Sequence, residues 1–385
     1  MGGLIQPERP HKGRAGDYVP QPGGYSAFIP EPLPPSPPLR LSPALVARLS
    51  GADLALGRLD GAALTLPDPD LFVGMYVRQE AVLSSQIEGT QASLTDLLQL
   101  ELWEEGGPPD VREVVNYVDA MNHGLERLTE LPLSLRLVRE IHAHLMAGVR
   151  GGDREPGEFR KAQNWVGAPG STPRTATYVP PPPSTMQDAL SSLERFWHER
   201  ELPALVRAGL AHAQFETIHP FRDGNGRIGR LLITFMLCSE GVLRRPLLYL
   251  SHYLKRNRAQ YYDSLQAVRD GGRWEEWLTF FLSGVDEVAK EATATARAIV
   301  ALREADWAQV RSEGLASTNL MRLLDLLFQQ PIVTVPFVRD RLGVRYQTAN
   351  ELIERLVGKG ILIETTGRKR NRRFAYRKYL DLFPS

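Results

Sequence analysis

His219-Pro220-Phe221-Arg222-Asp223-Gly224-Asn225-Gly226-Arg227-Ile228-Gly229-Arg230 is the stretch around which this 385-residue chain is organised. Before it, Leu205, Ala208, His212 and Phe215 recur at helical spacing. After it, Ile228, Leu231, Leu232, Phe235 and Met236 follow the i, i+3, i+4, i+7, i+8 pattern of an amphipathic helix. Pro220 breaks the first helix. The stretch therefore reads as the elbow between two core helices, in a chain that is mainly α. Its polar groups favour a nucleotide. Gly224 and Gly226 let backbone N–H groups approach an anion with no Cβ in the way. Those groups lie at a helix N-terminus, whose dipole favours negative charge. Asp223 suits Mg²⁺, which takes one or two carboxylates and fills its shell with phosphate oxygens and water. Arg227 and Arg230 sit a helical turn apart and can lean toward one phosphate tail. His219 is the group able to take a proton near neutral pH. A plain capped helix-loop-helix has no need of so many specified positions.

The stretch resembles the signature of the Fic family, His-x-Phe-x-Asp/Glu-Gly-Asn-Gly-Arg-x-x-Arg, and every specified position is met. The resemblance implies an all-helical catalytic domain with a β-hairpin flap, and transfer of AMP from ATP to a protein hydroxyl. It implies that His219 takes the proton of a Tyr, Ser or Thr hydroxyl on a target protein, which can be the chain itself. Asp223 then holds Mg²⁺. Gly224, Asn225 and Gly226 cradle the phosphates, with Ile228 and Gly229 in the same nucleotide-contacting run. Arg227 and Arg230 bind the outer phosphates. On the following aromatic helix, Tyr261 or Tyr262 lines an adenine pocket; two core aromatics are the alternative. Kinase-type relatives depart from the Gly-Asn-Gly-Arg core, and this chain keeps it.

A second segment bears on the first. Ser84-Ser85-Gln86-Ile87-Glu88-Gly89-Thr90 closes a helix running from about Asp70 to Ile87. Ser84 and Glu88, four apart, share a face, and Gly89 is the expected left-handed cap residue. A glutamate in a last turn is unfavourable against the dipole, so it is either a surface carboxylate or is held by something else. The family resemblance supplies a holder. Ser84, Glu88 and Gly89 match the inhibitory pattern Ser/Thr-x-x-x-Glu-Gly/Asn, whose glutamate pairs with the second arginine, here Arg230, and blocks the γ-phosphate position.

The rest of the chain divides into an expected Pro/Gly-rich, extended segment over residues 1–40 that packs along the body, an N-terminal helical region (41–125), a catalytic domain (126–285), a connecting helix (286–314) and a C-terminal module (315–385). Residues 43–66 read as mainly helix, with Leu45, Val46, Leu49 and Leu54 among the apolar positions. Gly157 to Pro183 has hairpin-like composition, with Phe159, Trp165, Val166, Tyr178 and Val179 around turn residues. An exposed ribbon there could take an extended peptide by edge addition; an ordinary long loop is the alternative. The last seventy residues read as helix, helix, helix and hairpin with the basic tip Arg368-Lys369-Arg370-Asn371-Arg372-Arg373, the pattern of a winged helix-turn-helix. Arg345, Tyr346, Gln347 and Asn350 would face a major groove, with the wing on phosphate. Dimerisation or target docking is the other use of such a module.

Composition narrows the classes. Lys plus Arg (46) balances Asp plus Glu (45), so no global field points to nucleic acid or membrane. The single cysteine, Cys238, excludes an internal disulfide and reads as a small core residue. With no signal-like start and no run long enough to span a bilayer, the expectation is a cytoplasmic protein. Two other functions remain open: removal of AMP at the same site, with Glu88 orienting a water, and DNA-binding regulation through the winged helix.

Overall fold

The fold is described from a computed structural model that covers residues 13–64, 69–100, 108–149, 151–152, 154–312 and 318–383, with the backbone alone at 69–72 and 312. The start of the Pro/Gly-rich segment and the boundary between 314 and 315 lie outside the described residues.

Within the Pro/Gly-rich segment the chain forms a hairpin, where a plain extended run was expected. Strands β1 (Gly16–Gln21) and β2 (Tyr25–Pro30) pair antiparallel, with Gln21 opposite Tyr25. Gly23 and Gly24 both adopt positive φ in the turn, which glycine does at no steric cost. Phe28 is fully buried, and its N–H donates to the Val179 carbonyl at 2.9 Å, so the hairpin packs along the body.

Eleven helices then follow among the described residues: α1 (Pro43–Leu64), α2 (Pro69–Ile87), α3 (Leu94–Gln99), α4 (Pro109–Arg127), α5 (Leu135–Leu145), α6 (Pro183–His198), α7 (Ala204–Ile218), α8 (Asn225–Ser239), α9 (Ser251–Arg256), α10 (Arg258–Gly271) and α11 (Trp274–Ser312). Prolines start α4 and α6, where a missing N–H costs nothing. Helix α7 is the centre. Every residue from Leu205 to Ile218 is buried, because α1, α6, α8, α10 and α11 pack around it. Such a helix must satisfy its own polar side chains internally.

Helix α1 lies along α11. Its buried stripe is Leu45, Ala52, Leu56, Leu59 and Ala63, while Val46 and Leu54 face outward. On α11 the small residues Ala289, Ala292 and Ala296 are buried. At 39 residues α11 is about 58 Å long, and it runs unbroken across the boundary drawn at 285/286.

The C-terminal module contains α12 (Thr318–Gln329), β3 (Ile332–Val333), α13 (Val335–Leu342), α14 (Tyr346–Gly358), β4 (Ile363–Glu364), β5 (Phe374–Ala375) and α15 (Arg377–Leu380), with strand order β3-β5-β4. Thr334 caps α13 by accepting from Phe337 N, Pro336 sits in its first turn, and Gly343 ends it in the left-handed region. Strand β3 and helix α15 have no local signal. The two residues of β3 are strand only because β5 returns beside them.

Helices α4 and α8 meet at Gly124, where a Cβ would overlap the ring of Phe235. Overpacking costs about 1–3 kcal/mol, more than the roughly 1 kcal/mol of helix propensity that alanine adds. Gly124→Ala is therefore expected to lower the urea midpoint of unfolding.

Candidate active site at the α7–α8 elbow

The elbow is held by side chains that bond its backbone. His219 caps α7 in the left-handed region, with φ 49 and ψ 60, an uncommon conformation for a residue with a Cβ. Arg160, fully buried, donates Nε to the His219 carbonyl at 3.0 Å and also bonds the carbonyls of Pro181 and Ile218. Burial pulls its pKa down to about 10. Asn164 donates Nδ2 to the carbonyls of His219 and Phe221. Asn225 closes the loop from inside: its Oδ1 accepts from Phe221 N and its Nδ2 donates to Phe221 O, both at 2.8 Å. Its side chain is thus committed to the loop. An anion at this helix start meets backbone N–H groups instead.

Phe221 stacks on His142 with centroids 3.7 Å apart and planes at 4°. His142 Nδ1 accepts from Gly157 N–H, so Nε2 carries the proton and donates to the Asp223 carbonyl at 3.1 Å. Burial lowers this ring's pKa to about 4.

Three cations and three carboxylates meet at this loop. Arg230, 3% exposed, donates Nε to Ser84 Oγ at 2.8 Å and Nη2 to the Ser84 carbonyl at 3.0 Å and to Glu88 Oε1 at 2.7 Å. The same Glu88 oxygen lies over Gly226, in the place a Cβ would take. Gly226 is in the first turn of α8, so the carboxylate sits at the helix start where an anion is favoured. Burial works against both charges, yet Arg230 holds the Glu88 carboxyl below its ordinary pKa and Glu88 raises that of Arg230. Arg227 is equally buried. It faces Glu113 Oε2 at 3.5 Å, and Thr90 Oγ1 donates to that same oxygen at 3.0 Å. Asp223 accepts from Gly224 N at 2.7 Å and lies 3.7 Å from Arg154 and 4.0 Å from Arg227.

The Asp223 carboxylate is part-exposed. No group of three or more His, Cys, Asp or Glu among the described residues could hold a metal. One open carboxylate fits a Mg²⁺ ion that draws its other ligands from phosphate oxygens and water.

His219 faces this cluster. Burial brings its pKa down to about 4, with Arg269 and Arg160 adding to the shift and Glu88 opposing it. The ring is therefore neutral at physiological pH and can accept a proton. His212, about two turns earlier on α7, is a core strut: Nδ1 donates to the Gly229 carbonyl and Nε2 accepts from Tyr261 OH, each at 2.9 Å. Of the two rings expected near an adenine pocket, Tyr261 takes the inner position. It is fully buried with its hydroxyl engaged, and the exposed ring of the pair is Tyr262, at 41%. Ile228 is likewise a core side chain, and Gly229 leaves room for Glu216 and His212.

The flap takes a sparse form. Its two arms meet in one antiparallel bridge, Val166 with Tyr178, and its middle is folded into turns. Trp165 and Val166 are exposed on it. Arg174 donates to the Gly23 carbonyl at 2.7 Å, tying the flap to the β1–β2 turn.

Sequence reading missed Glu113, His142, Arg160 and Glu216. Each comes from an element whose pattern reads as ordinary helix or loop, and none carries a spacing signal to the elbow. Glu216 is the most unusual. Its Oε1 has no hydrogen-bond partner among the described residues. Burial pushes its carboxyl up to about 7, with Glu88 adding to the push and Arg230 opposing it. A carboxyl raised from 4.5 to about 7 contributes stability that is whole below 4.5 and lost as pH rises through 7. Glu216→Gln removes that loss. Its melting temperature relative to the parent is expected to be higher at pH 8 than at pH 5; an equal difference at both would show that Glu216 is not held protonated.

With this geometry in hand, comparison with known proteins is informative. Residues 46–126 match the family described as Fic/DOC family N-terminal, residues 132–237 the Fic/DOC family, and residues 320–375 an HTH DNA binding domain. A protein of Aquifex aeolicus (strain VF5) described as "Probable protein adenylyltransferase" is 26% identical over 207 residues, covering 52% of this chain and 57% of its own length. The "Protein adenylyltransferase Fic" of Culex quinquefasciatus is 30% identical over 196 residues, covering 48% of this chain and 35% of its own. The chain thus spans little more than half, or about a third, of the length of these curated relatives. The crystal structure of a Fic family protein from Desulfovibrio desulfuricans G20 shares the fold, with a TM-score of 0.57 at 19% identity, over 88% of this chain and 97% of that one. The signature elbow, the helices that frame it and the N-terminal helices packed on it thus form Fic/DOC-family N-terminal and Fic/DOC domains at residues 46–126 and 132–237, followed by a helix-turn-helix domain at 320–375.

Proposed function

We propose that the chain transfers AMP from ATP to a hydroxyl of a target protein, and that Glu88 holds this activity in check. The observation that carries the reading is the Glu88 carboxylate on Arg230, over Gly226 at the start of α8. A carboxylate there occupies the position suited to a phosphate. The relatives described as adenylyltransferases support the reaction class.

In this reading the neutral His219 imidazole accepts the proton of a Tyr, Ser or Thr hydroxyl on the target. The hydroxyl oxygen bonds to the α-phosphorus, and the bond to the bridging oxygen breaks, so that pyrophosphate leaves. Positioning and charge neutralisation carry most of the rate in such transfers. The backbone at Gly224 to Gly226 receives the phosphates, and Arg227 and Arg230 neutralise the outer ones. Asp223 would hold Mg²⁺, which when bound supplies further neutralisation of the phosphate oxygens. Tyr262, exposed beside Arg230 and Glu88, is the ring available to a base. The flap, with Trp165 and Val166 outward, is the surface available to an extended target segment.

Glu88→Gly is expected to raise incorporation of label from α-³²P-ATP by at least about tenfold, the effect of about 1.4 kcal/mol released at the phosphate site. Adding His219→Ala should abolish labelling while nucleotide binding, followed by calorimetry, persists. A Glu88→Gly variant that transfers no AMP but also fails to release AMP from a modified protein, where the parent releases it, would reverse the direction and mark the site as a hydrolase.

A further inference from the structure

We propose that the winged-helix module is a latch on the α2–α3 segment that carries Glu88, and that duplex DNA bound at its wing opens the latch. This rests on the reading of Glu88 as the brake on AMP transfer, and deepens it by naming what moves the brake.

The module is docked on that segment by contacts of several kinds. Helix α12 packs across α2. Gln330, buried just past α12, donates Nε2 to the Leu98 carbonyl in α3. Arg373, at the base of the wing, donates Nη1 to Gln99 Oε1 at 2.6 Å. Phe383 meets Tyr76 of α2 edge-on, with centroids 5.8 Å apart. Two further ties fix the module to α11: the Tyr376 hydroxyl bonds Asp306, and Arg303 pairs with Asp325 at 3.0 Å. The module is thus anchored on α11 and grips α2 and α3 at once.

The grip is connected to the active site through a short, tied turn. Glu88 directly follows α2, and α3 begins at Leu94. Between them Gln86 Nε2 bonds the Ala92 carbonyl, Thr90 bonds Glu113, and Gln91 N–H bonds Asp110. Ser93 and Asp96 form a reciprocal cap on α3. The Gln86–Ala92 bond and the Ser93–Asp96 cap join the end of α2 to α3, and Thr90 and Gln91 rest on Glu113 and Asp110 of α4. Holding Leu98 and Gln99 therefore helps to hold Glu88 on Arg230, and Thr90 extends the same restraint to Arg227 through Glu113.

The other face of the module is free for a polyanion. Arg345, Tyr346 and Gln347 at the start of α14 are exposed, as are Arg368, Lys369 and Arg370 on the wing. Arg372 is fixed against α14 by Asn350 at 3.0 Å and Glu354 at 2.8 Å, so wing and helix present one surface. That surface matches the placement of a helix in a major groove with the wing on phosphate. Arg373 faces the other way, onto a neutral amide. A phosphate is the stronger partner for a guanidinium than an amide oxygen is. Duplex binding that draws the wing toward phosphate pulls Arg373 from Gln99 and slackens the grip on α3.

The test uses the full chain and three readouts. Arg373→Ala and, separately, Gln330→Ala are expected to raise AMP transfer about fivefold or more, the usual scale of coupling between sites. Neither should add to the Glu88→Gly variant, because the brake is already gone. A mixed-sequence duplex oligonucleotide should activate the parent in the same way, and should fail on an Arg368→Ala, Lys369→Ala, Arg370→Ala variant. Hydrogen exchange of residues 84–99 should quicken in Arg373→Ala while that of α7 and α8 stays unchanged. If Glu88→Gly transfers AMP strongly but the latch variants and the duplex leave the parent at its basal rate, the latch is wrong. If Glu88→Gly itself is inactive, the AMP-transfer reading fails, and the exchange experiment still decides the latch: unchanged protection of 84–99 overturns it. Activation by an acidic peptide but not by the duplex overturns DNA as the partner.

Discussion

Arg230 is a cation with almost no access to water, and the site is arranged around how its charge is met. Desolvating a guanidinium costs several kcal/mol unless it is paired and hydrogen-bonded. Here Ser84 supplies two oxygens and Glu88 a third, all from the end of one helix. Removing one member of such a pair leaves the other buried and uncompensated. A nucleotide that displaces Glu88 must therefore bring its own negative charge to the same place. An anionic phosphate tail does so, and a neutral ligand does not. In the proposed reading the Glu88 carboxylate and a phosphate tail compete for this one place.

Around this pair the elbow is stiff. Arg160, Asn164, Asn225 and His142 each spend their polar atoms on backbone groups of the loop, which fixes where its N–H groups point. Buried networks of this kind are stable only if nearly every member is satisfied. Asn164 Oδ1, Arg227 Nε and Glu216 Oε1 are the exceptions, and Glu216 is a carboxyl close to Arg230 whose pKa burial raises to about 7. Its backbone carbonyl meanwhile serves the His219 ring.

The docked C-terminal module adds a mechanical dimension. Its contacts fall on α2, α3 and α11, and only the first two lead to Glu88. Coupling between distant sites needs an element with two arrangements that both sites bias. The α2–α3 segment is the element proposed for that part, since it is bound at one end by the module and at the other by Arg230. The long α11 helix serves as the fixed frame against which the segment shifts.

The sequence by itself determined the elbow. Twelve consecutive residues hold the proline, the glycines, the histidine and the arginines, and local stereochemistry suffices to make them a loop feeding a helix N-terminus. It also determined the helical character of the core and the helix-turn-helix order of the C-terminal module, because periodicity and capping are local. The pairing of Glu88 with Arg230 was legible from the pattern of the two motifs, though 142 residues separate them. What only the tertiary structure decided are the partners that no spacing announces. Glu113 meets Arg227, Arg160 braces the His219 carbonyl, and Glu216 lies behind the arginine. Tyr261 went to the core and Tyr262 to the surface because the two share a helix but not a face, and only the packing of α10 on α7 says which face is inward. The same holds for the N-terminal hairpin and the docking of the wing on Gln99: both are made by non-local contacts, whose energies depend on which surfaces meet and not on the residues next in the chain.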